Sequence, residues 1–217
     1  GYNLEGQNMI AHVWDGGHPR ITHQEYGGAG GSNRVSIIDS PTELHYHAAH
    51  VVGTIAASGV NPSARGMAPR STIKAYKWDN DLSEATDAAL TGMLLSNHSY
   101  GYRAEDLPSY YFGAYTLETQ EWDDLMFNSP YYLMVKAAGN DGNQTHLNSQ
   151  PLVPGYDMLS VAATAKNNLV VAAANNANVD SNGNLISVSM SSFSRPGPTD
   201  DLRIKPDIAG NGVNVYS

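Results

Sequence analysis

The sequence predicts an α/β fold in three layers, α/β/α, with a mostly parallel sheet in the middle. Strand-like and helix-like segments alternate along most of the chain, which is the pattern of a parallel sheet with helices on both faces. Several short apolar runs stop at Gly or Asp, as buried strands do when they enter a turn. With 217 residues, 41% of them hydrophobic, the chain can form one core of ordinary size, and we predict a single domain over residues 1–217.

The first part of the chain predicts two strands and a helix. Residues 9–14 are mostly apolar and are followed by Asp15 and two glycines, so we expect a buried strand with Asp15 at its carboxyl end. Residues 34–38 are predicted as a second strand. From His47 onward, apolar residues recur at helical spacing until a glycine and a proline intervene, which predicts a helix with His47 at its N-terminus.

The middle of the chain continues the alternation. Residues 71–77 are predicted as a strand, and residues 83–90 as the start of a helix because acidic side chains fill its first turns. Residues 94–101 are predicted as a further strand. This strand is expected to end at the same edge of the sheet as the strand that carries Asp15.

The last part of the chain is less regular. Residues 113–128 have apolar side chains at helical intervals and are predicted as a helix, and residues 131–135 are predicted as a strand that stops before a glycine. Residues 158–163 are predicted as another strand. Residues 167–184 are rich in Asn and Ala, and we expect an elaborated loop or hairpin there.

Composition excludes some classes of partner. The net charge of −9 and the pI near 5.2 argue against a nucleic-acid partner, which requires a basic surface. No run of apolar residues approaches the roughly 18 that predict a membrane span. The absence of cysteine rules out disulfides and thiolate metal ligands, and it does not decide the compartment.

Asp15 and three histidines are the candidate chemical groups. Ligands of an open parallel sheet bind at the carboxyl ends of its strands, where Asp15 is expected, although Asp before Gly is also common in ordinary turns. A charged imidazole is disfavoured at a helix N-terminus, so His47 needs a carboxylate such as Asp15 beside it. Because His45, His47 and His50 are spaced His-x-His-x-x-His, a zinc site is an alternative interpretation.

Four segments resemble, in the same order, the sequence blocks of the subtilisin-like serine proteases (subtilases). Residues 13–17 are similar to the block around the family's catalytic Asp, and residues 47–56 are similar to its His-Gly-Thr-His-Val-Ala-Gly-Thr block. Residues 137–142 resemble the block that bears the oxyanion-hole Asn, and residues 192–209 resemble the segment before the nucleophile. The combination is far more specific than any single block.

The resemblance implies a serine endopeptidase that hydrolyses peptide bonds through a covalent acyl-enzyme. It implies that His47 is the general base of a Ser/His/Asp triad, that Asp15 holds its tautomer, and that Asn140 donates to the oxyanion. It also implies that a protein or peptide substrate adds to the site as an extended strand. The implied substrate-binding residues are Ser99, Tyr100, Gly101, Ala138 and Gly139.

The chain also departs from the family pattern. Ala48 and Ala49 replace the usual Gly and Thr, and Asn211 stands where a Pro is usual. The Gly-Thr-Ser-Met-Ala segment with the nucleophilic serine does not occur. We therefore expect the N-terminal part of a catalytic domain, inactive alone and completed by a C-terminal chain that carries the serine, because a subtilase lacking its nucleophile helix leaves an apolar groove open to water.

Further expectations follow from the resemblance alone. No cofactor is expected for catalysis, while structural calcium is frequent in the family; loop carboxylates are available at Asp79, Asp81, Asp200 and Asp201, but their spacing assigns no site. A secreted or extracellular, bacterial location is expected. The non-enzyme alternative is a catalytically inactive, subtilase-like binding scaffold.

Overall fold

The computed structural model describes residues 2–28, 31–143 and 155–217. The chain divides into two compact units, the first comprising residues 1–99 with 215–217 and the second comprising residues 100–214. Among the described residues, no helix is both long and apolar enough to cross a membrane. The prediction of one domain over residues 1–217 stays a prediction.

In the part of the first unit that the structure describes, there are four parallel strands and two α-helices. Strand β1 pairs with β3 on one side and with β4 on the other, and β2 pairs with β3, all in parallel. Between these strands, one helix follows β2 and another follows β3, as the alternating sequence pattern predicts. The elements are β1 (Ile10–Asp15), β2 (Val35–Ile37), α1 (Tyr46–Ala56), β3 (Thr72–Lys77), α2 (Asp81–Leu90) and β4 (Leu95–His98).

Helix α1 is held against the strands by a narrow apolar face. Val52 and Ala56 recur at helical spacing and are fully buried against Val13 of β1 and Ile73 of β3. The small side chains of α1 allow the helix to approach the sheet closely. This packing fixes the N-terminal end of α1 beside the carboxyl end of β1.

The described residues of the second unit form one α-helix, three parallel strands and a hairpin. Strand β6 pairs in parallel with β5 and with β9, whereas β7 and β8 form an antiparallel pair. Its elements are α3 (Leu117–Asn128), β5 (Leu133–Ala137), β6 (Leu169–Ala174), β7 (Asn178–Val179), β8 (Leu185–Ser187) and β9 (Ile208–Asn211). Parallel strands alternating with helices confirm the predicted α/β fold with a mostly parallel sheet.

Two sequence predictions in the second unit are wrong. The run at residues 158–163 is not a strand: Ser160 makes one isolated bridge to Phe112, and Val161–Thr164 is a 3-10 helix. A short buried apolar run does not reveal by itself whether it is strand or helix. Conversely, strand β6 lies inside the segment predicted as a loop or hairpin, because the alanines of β6 carry little strand signal. The β7–β8 hairpin agrees with that prediction.

Candidate active site

Asp15 and His47 form a hydrogen-bonded pair within the first unit. Asp15 ends β1 and is almost completely buried, while His47 lies in the first turn of α1. His47 Nδ1 is 2.8 Å from each carboxylate oxygen of Asp15, and the backbone N–H of Gly16 donates to Asp15 Oδ1 at 2.7 Å. The carboxylate therefore holds the imidazole through Nδ1 and leaves Nε2 as the nitrogen that could accept a proton.

The electrostatics of this pair suit a general base. The hydrogen bond from His47 to Asp15 raises the pKa of His47, and the negative charge of Asp15 adds to this effect, against the opposing effect of burial. Helix α1 has no acidic residue of its own in its first turn, so Asp15 supplies the negative charge that an imidazolium needs at a helix N-terminus. The His47 side chain remains 39% exposed and is accessible to a reacting group.

His45 is a third member of this group, and the sequence did not place it beside Asp15. It precedes α1 with an extended backbone, and its Nδ1 lies 3.6 Å from Asp15 Oδ1. A Cβ atom on Gly16 would lie 3.1 Å from His45 Cε1, so the glycine after Asp15 makes room for this imidazole. Of the three histidines in the alternative zinc interpretation, His50 lies outside this group: it is exposed, and its Nε2 is 3.0 Å from the carbonyl oxygen of Val215.

Asn140 follows β5 in the second unit, where a buried ion pair supports its loop. The guanidinium of Arg195 contacts the carboxylate of Asp141, with Nη2 donating to Oδ2 at 2.8 Å, and Arg195 N donates to Gly139 O at 3.2 Å. Burial opposes ionisation of Asp141, but hydrogen bonds from Arg195 and from the N–H of Ala104 hold its pKa below the usual value. The side chain of Asn140 is exposed, and its role in an oxyanion hole stays a prediction.

The other predicted substrate-binding residues flank the ends of β4 and β5. Ser99 accepts a hydrogen bond from Asn97 Nδ2 at 3.0 Å, and Gly101 is exposed. Lys136 of β5 donates to the carbonyl of Tyr100, and its Nζ lies 4.3 Å from the centroid of the Tyr100 ring. Ala138 is buried, with its N–H donating to Val171 O at 3.0 Å, and Gly139 has a φ of +118°, which suits glycine. Their contact with substrate stays a prediction.

The carboxylates considered for calcium have other neighbours in the structure. Asp79 lies 3.1 Å from Lys77 Nζ, and Asp201 lies 2.8 Å from Arg203 Nε. Asp81 Oδ1 accepts from the N–H of Leu82 at 2.7 Å. Calcium binding therefore stays a prediction without an assigned site.

Asp200, the remaining candidate, is close to a buried carboxylate that the sequence did not single out. Both Asp157 and Asp200 approach Gly113, where an added Cβ would collide with an Oδ1 oxygen of each. Asp157 is 8% exposed, and its Oδ1 has no hydrogen-bond partner among the residues described. Burial, followed by the charge of Asp200, raises the pKa of Asp157 to about 6.

We expect Asp157→Asn to stabilise the protein at pH 7 and to have little effect at pH 4. Folding raises the pKa of Asp157, so the folded state favours the protonated side chain. The contribution of Asp157 to the free energy of unfolding is therefore complete below the unfolded pKa near 4, and it is lost as the pH rises through about 6. Asparagine stays neutral and tolerates the positive φ of 58° at this position. The expected gain at pH 7 is about 2 kcal/mol, measured by urea unfolding at both pH values.

Asp87→Asn, which changes an exposed carboxylate on α2, is the control for this measurement. An equal effect of Asp157→Asn at both pH values would contradict the raised pKa.

A buried carboxylate that holds a histidine by Nδ1, at the carboxyl edge of parallel strands, is the arrangement found in α/β-fold serine proteases. The chain belongs to the subtilase family, whose family model matches residues 30–217. This match includes His47 and Asn140 and begins after Asp15, and the catalytic roles of these three residues stay predictions. The family match confirms the predicted subtilisin-like fold with three layers.

Several solved structures share this fold at low sequence identity. The Clostridium perfringens CspB protease superposes with a TM-score of 0.71 at 16% identity, covering 99% of this chain and 78% of that one. The prenylagaramide maturation protease PagA has a TM-score of 0.57 at 22% identity, covering 96% of this chain and 69% of that one. The PatG macrocyclase domain has a TM-score of 0.58 at 17% identity, and the match covers 88% of this chain and 62% of that one. No curated protein sequence matches the chain significantly.

Proposed function

We propose that the chain forms part of a serine endopeptidase in which Asp15 and His47 activate a serine. The observation that carries this proposal is the hydrogen bond of 2.8 Å between Asp15 and His47 Nδ1, in a chain of the subtilase family. With Nδ1 donating to Asp15, neutral His47 presents a lone pair at Nε2. That nitrogen takes the proton of the serine hydroxyl during attack and returns it to the leaving amine.

The serine is the missing part of this mechanism. Among the residues described, the hydrogen bonds of His47 go to Asp15, and the family's Gly-Thr-Ser-Met-Ala segment does not occur in residues 1–217. We propose that a segment or chain beyond Ser217 supplies the serine and that residues 1–217 alone are inactive. The partners are then a complementary C-terminal chain and a protein or peptide substrate.

Asn140 is proposed as the side-chain donor to the oxyanion. It follows β5 directly after a glycine with positive φ, and the Arg195–Asp141 pair supports the same loop. Loss of such a donor costs about 2.7–4 kcal/mol in subtilisin, a member of this family. The substrate is proposed to lie along Ser99, Tyr100 and Gly101 and to approach Ala138 and Gly139. A secreted, bacterial location is proposed from the family resemblance.

A fluorophosphonate probe tests the function directly, because it reacts with a serine only when a base activates that serine. We expect the assembled protein to hydrolyse unfolded casein and to become labelled at one serine outside residues 1–217, as located by peptide mass spectrometry. Residues 1–217 alone should give neither hydrolysis nor labelling. An assembled protein that binds peptides but is neither labelled nor active would support the binding scaffold instead.

A further inference from the structure

Asp15, His45 and His47 together have the composition and spacing of a site for a transition-metal ion. One possible ligand atom from each of the three side chains lies within 4.8 Å of the others. His45 Nδ1 is buried and has no hydrogen-bond partner among the residues described, although it lies only 3.6 Å from Asp15 Oδ1. We propose that Zn²⁺ binds these three side chains and thereby switches off His47 as a general base.

The donor set and the distances fit zinc. Two imidazoles and one carboxylate are ordinary zinc ligands, and bonds of about 2.0–2.2 Å in a tetrahedron place the ligand atoms roughly 3.3–3.6 Å apart. The observed separations are 2.8 Å between His47 Nδ1 and Asp15 Oδ2 and 3.6 Å between His45 Nδ1 and Asp15 Oδ1. Binding therefore requires only small rotations of the side chains, and water can complete the tetrahedron.

Access and charge also favour a cation. The side chains of His45 and His47 are 32% and 39% exposed, so an ion can reach them from solvent, while the Asp15 carboxylate lies beneath them at 1% exposure. The nearby ammonium of Lys77 is paired with Glu43 at 2.8 Å and with Asp79 at 3.1 Å. A positive ion at this site would therefore be attracted by the negative charge of Asp15, and the charge of Lys77 would repel it little because two carboxylates compensate that charge.

The proposed effect on His47 follows from its two nitrogens. In the active tautomer, Nδ1 carries the proton and donates it to Asp15, while Nε2 has the lone pair. Zinc at Nδ1 takes the lone pair of that nitrogen, so the proton of the neutral ring must lie on Nε2. His47 then presents a donor to the serine in place of an acceptor, and it cannot take the serine proton. This inhibitory step rests on the proposed protease function, whereas zinc binding itself does not.

The test combines zinc binding with inhibition. We expect isothermal titration calorimetry of the assembled protein with ZnCl₂ at pH 7.5 to show a site on this chain that His45→Asn weakens at least tenfold. Asparagine keeps a polar side chain of moderate size and removes the imidazole. His23→Asn, which removes a histidine outside the group, should leave the affinity unchanged. In the wild type, zinc should inhibit casein hydrolysis over the same concentration range in which it binds, and chelation should restore activity.

The outcomes separate the two proposals. Equal zinc affinity of the wild type and the His45→Asn variant, or no binding at all, would overturn the site. Zinc binding at the site without inhibition of an active protein would overturn the switch. Absence of proteolysis even in the presence of chelator would count against the protease function, and the calorimetric comparison would still decide whether the zinc site exists.

Discussion

We expect replacement of His47 with alanine to lower kcat of the proposed assembled protease by about 10⁶-fold, the size of the loss known when subtilisin, a member of this family, loses its catalytic histidine. The imidazole both takes the serine proton and protonates the leaving amine, so its loss removes both steps at once. Asp15→Asn should have a smaller effect, about 10⁴-fold, because the base remains while its preferred tautomer is lost. Casein hydrolysis and turnover of a fluorogenic peptide measure both variants.

His50→Gln is the matched control for these measurements. It removes a histidine from the same helix, and this histidine is exposed, with its Nε2 3.0 Å from the backbone carbonyl of Val215. Activity in this control should stay within severalfold of the wild type. A His47→Ala variant that keeps more than about a hundredth of the activity would contradict the assignment of His47 as general base.

The pH dependence of activity provides a further signature of the Asp15–His47 pair. Only neutral His47 can act as the base, and its hydrogen bond to Asp15 raises its pKa above the ordinary value of a histidine. The acid limb of kcat/KM should therefore have its midpoint above that value. In Asp15→Asn the midpoint should move to lower pH, because the variant loses the charge that favours the imidazolium.

The sequence was sufficient to locate Asp15 and His47 because each lies at a boundary that local patterns mark. An apolar run followed by Asp and two glycines predicts the end of a strand, and apolar residues at helical spacing from His47 predict the start of a helix. The structure places β1 and α1 so that these two boundaries meet. Local periodicity and resemblance to one family are thus enough to predict the position of candidate residues that lie at the ends of regular elements.

The parts that the sequence did not predict depend on contacts between distant residues. The spacing of the histidines groups His45 with His50, whereas in the structure its Nδ1 lies 3.6 Å from Asp15 Oδ1 and its ring is close to Gly16. The sequence does not predict strand β6, because this strand pairs with β5 and β9 and three consecutive alanines give no local sign of such pairing. Neither effect has a local signal in the sequence.

The ion pair between Arg195 and Asp141 is the clearest example of such a distant contact, since 54 positions separate its members along the chain. Arg195 is 3% exposed, and its guanidinium also donates to Ser160 Oγ at 2.7 Å and to the carbonyl of Tyr102 at 2.9 Å. These bonds connect three loops of the second unit with the segment that carries Asn140. The pair is therefore expected to be important for stability as well as for the position of Asn140.

Arg195→Met should lower the free energy of unfolding by about 3–5 kcal/mol, because it leaves the carboxylate of Asp141 buried without its counter-charge. Methionine replaces much of the side-chain volume, so the loss reports the missing charge and hydrogen bonds more than a cavity. Urea unfolding of the assembled protein at pH 7 measures the change. Acidification should reduce the difference between variant and wild type, because protonation of Asp141 removes the uncompensated charge in the variant.

The double variant Arg195→Met with Asp141→Asn tests whether the uncompensated charge of Asp141 causes the loss of stability in Arg195→Met. Asparagine keeps an oxygen that can accept a hydrogen bond from the N–H of Ala104, and it carries no charge that would be left uncompensated. The double variant should therefore be more stable than Arg195→Met alone, although it lacks both members of the pair. If the two substitutions instead add their separate costs, the loss of packing around Arg195, and not the buried charge of Asp141, controls the stability of this loop.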